Sequence, residues 1–255
     1  MIQGIDHVVV VVKDLHQATK DYEQLGFTVV PGGQHPVGSH NALIPFRDGS
    51  YLEIIAFHRE ALDHRWWDAL GKGERLVDFC LRTDDLRGDT AKLRDAGVAI
   101  NDPVPWSRKR PDGYELKWLL ALATGSHRGV APFLIEDVTP RSERIPQEFT
   151  HKNGISGIEK LTVAAGELKS VEKWYGALLG IAGQKITADE LRAEGLAFPI
   201  GPHSFEFLTP CDAASPLVDW LRQFGPSPFS AVLKGSGENS PLDSGLTHGA
   251  HLIVK

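Results

Sequence analysis

One sequence pattern occurs three times in this chain of 255 residues and constrains the fold more than any single motif does. Each copy has an apolar strand rich in β-branched residues, an acidic residue followed by leucine, a helical stretch and a glycine. The acidic residues are Asp14, Asp85 and Glu167. Such apolar runs predict buried strands, the acidic residues predict helix N-caps and the glycines predict helix ends. The repetition predicts one supersecondary unit that is used several times.

The strand position seven residues before each acidic cap is polar in all three copies. It carries His7 in the first copy, Asp78 in the second and Lys160 in the third. An unpaired charge is costly inside an apolar strand, so each of these side chains needs a partner or a metal ion.

A hairpin completes the unit. Asp48 and Gly49 separate two apolar runs after the first helix, which predicts a two-residue type I′ turn. In the register that this turn sets, Glu53 faces Ile44 and shares a sheet face with His40. The unit is therefore predicted to be βαβββ.

The repeats predict an α+β fold of curved mixed β-sheets, built from βαβββ modules with helices on the outside. We expect two modules in residues 1–140, a linker at 141–154, and a second domain at 155–255 with one clear module and one degraded module. The linker is predicted from its polar composition, its prolines and its lack of apolar periodicity.

Composition excludes several functions. A net charge of −6 gives no electrostatic footprint for nucleic acid or an anionic membrane. No apolar run approaches the roughly 20 residues that span a bilayer, and the first strand follows Met1 too closely for a signal peptide. The chain has only two cysteines, which fits a reducing compartment. We therefore expect a cytoplasmic protein that binds a small molecule.

Four polar residues on predicted strands of the first two modules are candidate metal ligands: His7, Glu53, Asp78 and Glu136. One imidazole and three carboxylates suit a divalent cation, and the oxygen-rich set favours Mg, Mn, Fe(II) or Ni over structural Zn. The alternatives are a core histidine for His7, an ion pair with a basic residue for Asp78, and a solvent-facing edge position for Glu136.

With these residues in place, the chain resembles the vicinal oxygen chelate superfamily and, within it, the glyoxalase-like proteins. The resemblance implies paired βαβββ modules around a cleft, with a metal ion held by the first and last strands of each module. It maps those ligands onto His7, Glu53, Asp78 and Glu136. At the second-module position, where Asp78 stands, glyoxalases usually carry histidine or glutamine.

The resemblance implies a metalloenzyme of the lyase, isomerase or hydrolase type, acting on a small substrate with vicinal oxygens. Glu136 or Asp78 would act as the general base. The alternative is a metal-free protein of the same fold that binds a small molecule or confers resistance. Because modules of this superfamily often pair between chains, a homodimer is also predicted.

Four further residues are candidates for substrate binding: His40, Trp118, Arg108 and Arg110. The arginines would bind a carboxylate or phosphate group, and the alternative for them is a solvated, charged hairpin. In the third module, Lys160 and Glu206 stand where a metal pair would be, and we expect a salt bridge between them.

Overall fold

The computed structural model describes residues 1–110, 112–145, 150–236 and 239–255. The first module contains β1 (Ile2–Val11), α1 (Leu15–Gln24), β2 (Val30–Gln34), β3 (Ser39–Pro45) and β4 (Tyr51–Phe57). After α2 (Trp67–Gly71), the second module contains β5 (Arg75–Thr83), α3 (Leu86–Asp95), β6 (Val104–Lys109), β7 (Glu115–Ala121) and β8 (Phe133–Asp137). The eight strands close into a barrel in the order β1-β4-β3-β2-β6-β7-β8-β5. The predicted α+β fold of βαβββ modules is confirmed.

Two of the three acidic residues act as the predicted caps, whereas Glu167 stands at the N-cap position before Leu168 and its side chain makes no cap hydrogen bond. Asp14 accepts hydrogen bonds from the backbone N–H groups of His16 and Gln17 at the start of α1, and Asp85 accepts one from Gly88 in α3. Each bond satisfies a backbone donor that has no partner within the helix. The caps therefore set where the chain leaves the barrel strands.

A second sheet follows the barrel. The helices and strands in this part of the chain are α4 (Arg141–Arg144), β9 (Gly157–Ala164), α5 (Leu168–Leu179), β10 (Gln184–Ala188), β11 (Ala193–Ile200), β12 (His203–Pro210), α6 (Pro216–Phe224), β13 (Ser227–Lys234), β14 (Ser240–Pro241) and β15 (His251–Val254). The strand order is β10-β11-β12-β9-β13-β15-β14. Lys160 and Glu206 form the predicted salt bridge, with 2.9 Å between Nζ and Oε1.

The outward side chains of the barrel strands and the second sheet share one hydrophobic core. It includes Val8 and Val10 of β1 together with Leu161 of β9 and Phe205 of β12. The ring centroids of Phe79 and Phe205 lie 5.1 Å apart across this boundary. Because the outer face of β1 is buried against this core, its inner face is left to line the barrel interior.

Residues 141–154, the predicted linker, begin with α4, and the side chain of Arg144 in this helix is buried. Residues 146–149 of that stretch lie outside the described residues. None of the helices in the described ranges is both long enough and apolar enough to cross a membrane.

The hairpin register differs from the prediction by one residue. Glu53 pairs with Leu43, not with Ile44. The turn is a three-residue loop, because Gly49 adopts a left-handed φ of 82° and its N–H donates to the Phe46 carbonyl. A type I turn followed by a left-handed residue is the common form of a three-residue hairpin loop. The shift of one residue turns every side chain of β3 to the other face.

Candidate functional site

A cavity of about 660 Å³ occupies the barrel interior. Four aromatic side chains form much of its wall: Trp66, Trp106, Trp118 and Phe133. The polar side chains that line it include His7, Asn41, Glu53 and Arg108. The cavity therefore combines an apolar wall with a small number of buried polar groups, as small-molecule sites do.

His7 lies between two carboxylates. Its Nδ1 is 2.7 Å from Oδ1 of Asp6, and its Nε2 is 3.4 Å from Oε2 of Glu53. The imidazole stacks on Tyr51 with ring centroids 4.7 Å apart. The parallel pairing of β1 with β4, which sets His7 opposite Tyr51 and Val9 opposite Glu53, brings these groups together.

Asp6 is the anchor for the His7 ring. Its carboxylate accepts hydrogen bonds from Arg144 Nη1 at 2.9 Å and Nη2 at 2.8 Å, and another from Arg141. Burial alone would raise the pKa of Asp6, but the charges of Arg144 and Arg141 hold it well below its ordinary value. Asp6 is therefore a permanent carboxylate that accepts the Nδ1 proton of His7.

Glu53 is held by a residue that sequence reasoning missed. Nδ2 of Asn41 donates to Glu53 Oε1 at 2.5 Å, and Oδ1 of Asn41 accepts from Arg108 Nη1 at 3.2 Å. Asn41 was missed because the predicted register turned it away from Glu53. With the observed register, Asn41 shares the inner face of the barrel and links Glu53 to a positive charge.

The other two predicted metal ligands lie elsewhere. Asp78 is buried and accepts from Arg65 Nη2 at 2.6 Å and from the Trp66 indole at 2.9 Å. This is the ion pair that stood as its alternative. In the pairing of β1 with β5, Cys80 lies opposite His7 and Asp78 lies opposite Val9. Counting seven residues back from each helix cap assumes regular strands, whereas the pairing of β1 with β5 contains register shifts.

Glu136 faces away from the cavity. Its neighbour Ile135 lines the cavity, and side chains alternate along a strand. Glu136 Oε2 accepts instead from the backbone N–H of Leu86 at 2.9 Å, at the start of α3. A carboxylate there stabilises the helix N-terminus. The structure therefore does not bring Glu136, the predicted metal ligand and general base, together with His7 and Glu53.

A group of three side chains beside the cavity could hold a metal ion, since ligand atoms of Asp6, His7 and Cys80 lie within 4.8 Å of one another. Two of the three are poorly suited as ligands. Asp6 is engaged by two arginines, and burial raises the pKa of the Cys80 thiol well above its ordinary value. Of the four predicted metal ligands, His7 and Glu53 line the cavity.

The predicted substrate-binding residues divide into two groups. Trp118 and Arg108 line the cavity, and Arg108 Nε has no hydrogen-bond partner in the described part of the chain. His40 pairs with Ala56 and packs against His58 on the outer face. Arg110 lies outside the cavity lining and donates to Asp112 and Glu143. The structure therefore brings together two of the four.

The comparisons with known proteins agree with this fold. A family model described as a glyoxalase-like domain matches residues 5–179. A hypothetical protein from Staphylococcus aureus has 16% identity and a TM-score of 0.72, with 100% of this chain and 99% of that chain covered. A triple mutant of 4-hydroxymandelate synthase from Streptomyces coelicolor has 15% identity and a TM-score of 0.61, with 93% of this chain and 72% of that chain covered.

A fusion protein of a xylose isomerase-like TIM barrel and 4-hydroxyphenylpyruvate dioxygenase has 13% identity and a TM-score of 0.54. It is covered over 37% of its length, against 93% of this chain. A search of curated proteins gives no match. The family match spans more than half of the sequence, and the structural neighbours share the vicinal oxygen chelate fold. The chain therefore belongs to the glyoxalase-like domain family.

Proposed function

We propose that the protein is an enzyme of the lyase, isomerase or hydrolase type that acts on a small substrate with vicinal oxygens, at a divalent cation held by His7 and Glu53. The observation that carries the proposal is the orientation of these two side chains. Because Nδ1 of His7 donates to Asp6, Nε2 of a neutral ring presents its lone pair to Glu53 Oε2, 3.4 Å away. Two facing acceptors need a proton or a cation between them.

The surroundings of His7 support a cation. Metal-ligating histidines usually donate their second ring N–H to a carboxylate, which fixes the tautomer and makes the other nitrogen a better ligand. Asp6 has this relation to His7. Mn, Fe, Ni, Mg and Zn are all candidates. A bound ion would stabilise an oxyanion of the substrate as a Lewis acid.

Other side chains of the cavity would bind the substrate, and Glu53 would also transfer a proton. Arg108 is buried in the cavity wall and its free Nε would attract a carboxylate or oxyanion of the substrate. Trp106 and Trp118 would hold an apolar body. Of the four predicted ligands, Glu53 is the carboxylate that remains in the cavity, so we assign it the proton transfer that Asp78 and Glu136 were predicted to perform. The homodimer and the cytoplasmic location stay predictions.

Replacing Glu53 with glutamine is expected to abolish stoichiometric metal binding while the fold survives. Loss of an outer-shell partner typically weakens metal affinity by ~10–100-fold, and loss of a ligand should cost at least as much. The measurement is elemental analysis and divalent-metal titration of protein purified without chelator. Glu206→Gln is the matched control, because Glu206 holds the corresponding position in the third module and pairs with Lys160. Equal metal content in the two variants would contradict the proposal.

A metal-free binding protein is the second candidate. The observation that favours it is the apolar second half of the site, where Cys80 lies opposite His7, and Phe133 and Ile135 are the inward residues of β8. In that case a proton lies between His7 and Glu53. A parent protein that takes up none of the five ions would favour this function, and ligand screening of the cavity would follow.

A further inference from the structure

Three polar side chains that line the same cavity form a chain of hydrogen bonds away from His7 and Glu53. Nδ1 of His35 lies 3.0 Å from Oγ of Ser39. Oγ of Ser39 lies 3.4 Å from Nε2 of His64. Ser39 is fully buried. None of the three was singled out by the sequence: His35 and His64 lie in loops, which give no periodic signal, and Ser39 is the first residue of β3.

The direction of these hydrogen bonds follows from the contacts of His64. The backbone N–H of Trp66 donates to Nδ1 of His64 at 3.3 Å. This nitrogen is therefore an acceptor, and the proton of a neutral His64 ring is on Nε2. His64 then donates to Ser39, whose hydroxyl donates in turn to Nδ1 of His35. The proton of a neutral His35 ring is left on Nε2.

Both rings are neutral at physiological pH. Burial lowers the pKa of His35 to about 4, and burial lowers the pKa of His64 to about 4 as well. A neutral imidazole with a fixed tautomer has one donor and one acceptor in known places. In the described part of the chain, His35 Nε2 has no hydrogen-bond partner, although the residue lines the cavity.

We propose that His35 is a specificity-determining residue that donates Nε2–H to an oxygen atom of the substrate, a carbonyl, hydroxyl or carboxylate oxygen, while Ser39 and His64 are positioning residues that fix its tautomer. This inference rests on the proposed function only in taking this cavity as the substrate site. It extends the substrate class to compounds with an oxygen acceptor within reach of His35, in addition to the group that His7 and Glu53 bind.

The tautomers can be measured first. Long-range proton–nitrogen NMR of protein labelled with ¹⁵N-histidine should show the Nε2–H form for both His35 and His64 from pH 5.5 to 8. Ser39→Ala should leave His64 neutral but release His35 into a mixture of tautomers. A parent protein with the proton of His35 on Nδ1 would overturn the inference, whatever the outcome for the metal site.

Binding is tested with benzoylformate, a carboxylate with an adjacent carbonyl and an aromatic ring, by quenching of tryptophan fluorescence. His35→Leu should weaken its binding about tenfold, the usual effect of one lost hydrogen bond. His35→Gln should restore affinity to within about threefold, since its amide keeps a donor. His40→Leu, on the outer face of the barrel, is the matched control and should bind as the parent does.

The two proposals fail separately. If His35→Leu binds benzoylformate as tightly as the parent does, while Glu53→Gln loses metal binding, the inference is overturned and the proposed function stays intact. A tenfold loss that glutamine restores, in a protein that takes up no divalent ion, would support the inference and reject the metal site. A parent protein that does not bind benzoylformate would overturn the role assigned to His35.

Discussion

Replacing Arg144 with leucine is expected to lower the free energy of unfolding by about 3–5 kcal/mol, the cost of breaking a buried ion pair by removing one partner. The Arg144 guanidinium is buried and donates to Asp6, to Asp137 and to the hydroxyl of Tyr51. Without it, the Asp6 carboxylate stays buried with Arg141 as its remaining cationic partner. The measurement is urea unfolding monitored by circular dichroism.

Arg192→Leu is the matched control for this experiment. Arg192 also makes a short bond to an aspartate, 2.6 Å from Asp212, but both side chains are exposed to solvent. Exposed pairs contribute little to stability, so this variant should unfold as the parent does. Equal losses in the two variants would show that removing any arginine destabilises the chain and would refute the role of burial.

The fold could be predicted from the sequence because its signals are local and repeated. The acidic caps, the glycines and the β-branched runs each act within a few residues, and three copies of the same pattern support one another. The salt bridge between Lys160 and Glu206 was predictable for the same reason, since both residues were located by comparing modules.

The faces of the strands could not be predicted with the same precision. Side chains alternate along a strand, so an error of one residue moves a side chain to the opposite face. Because Gly49 has a left-handed conformation, the hairpin loop is one residue longer than predicted. Asn41 therefore lies on the inner face, where His40 was predicted. In the pairing of β1 with β5, which contains register shifts, Cys80 and not Asp78 lies opposite His7.

The support for His7 could not be predicted because its partners are remote in sequence. Asp6 and Arg144 are 138 residues apart, and α4 carries no apolar periodicity that would place it against the barrel. The role of Asp6 becomes clear only once α4 packs against the barrel and brings Arg144 to it. The candidate site was thus predicted at His7, Glu53, Arg108 and Trp118, whereas the residues that orient His7 and Glu53 required the structure.

Stability is expected to fall steeply as the pH is lowered from about 6.5 to about 4, because of His35 and His64. Burial lowers the pKa of each ring to about 4, whereas both titrate near 6.5 in an unfolded chain. Between these values the unfolded chain binds protons that the folded protein does not bind. Each histidine then destabilises the fold by up to ~1.4 kcal/mol per pH unit.

Asp6 also loses its stabilising contribution as the pH falls, but in a different pH range: its pKa is lowered from an ordinary value near 4, so that contribution stays intact until the pH falls below about 4. His64→Gln should reduce the slope between pH 6.5 and 4 by about one proton, whereas His16→Gln, an exposed position in α1, should leave it unchanged. The measurement is the urea midpoint at half-unit pH intervals. A slope that His64→Gln does not alter would mean that His64 is protonated in the folded protein, and the donor order from His64 through Ser39 to His35 would then be wrong.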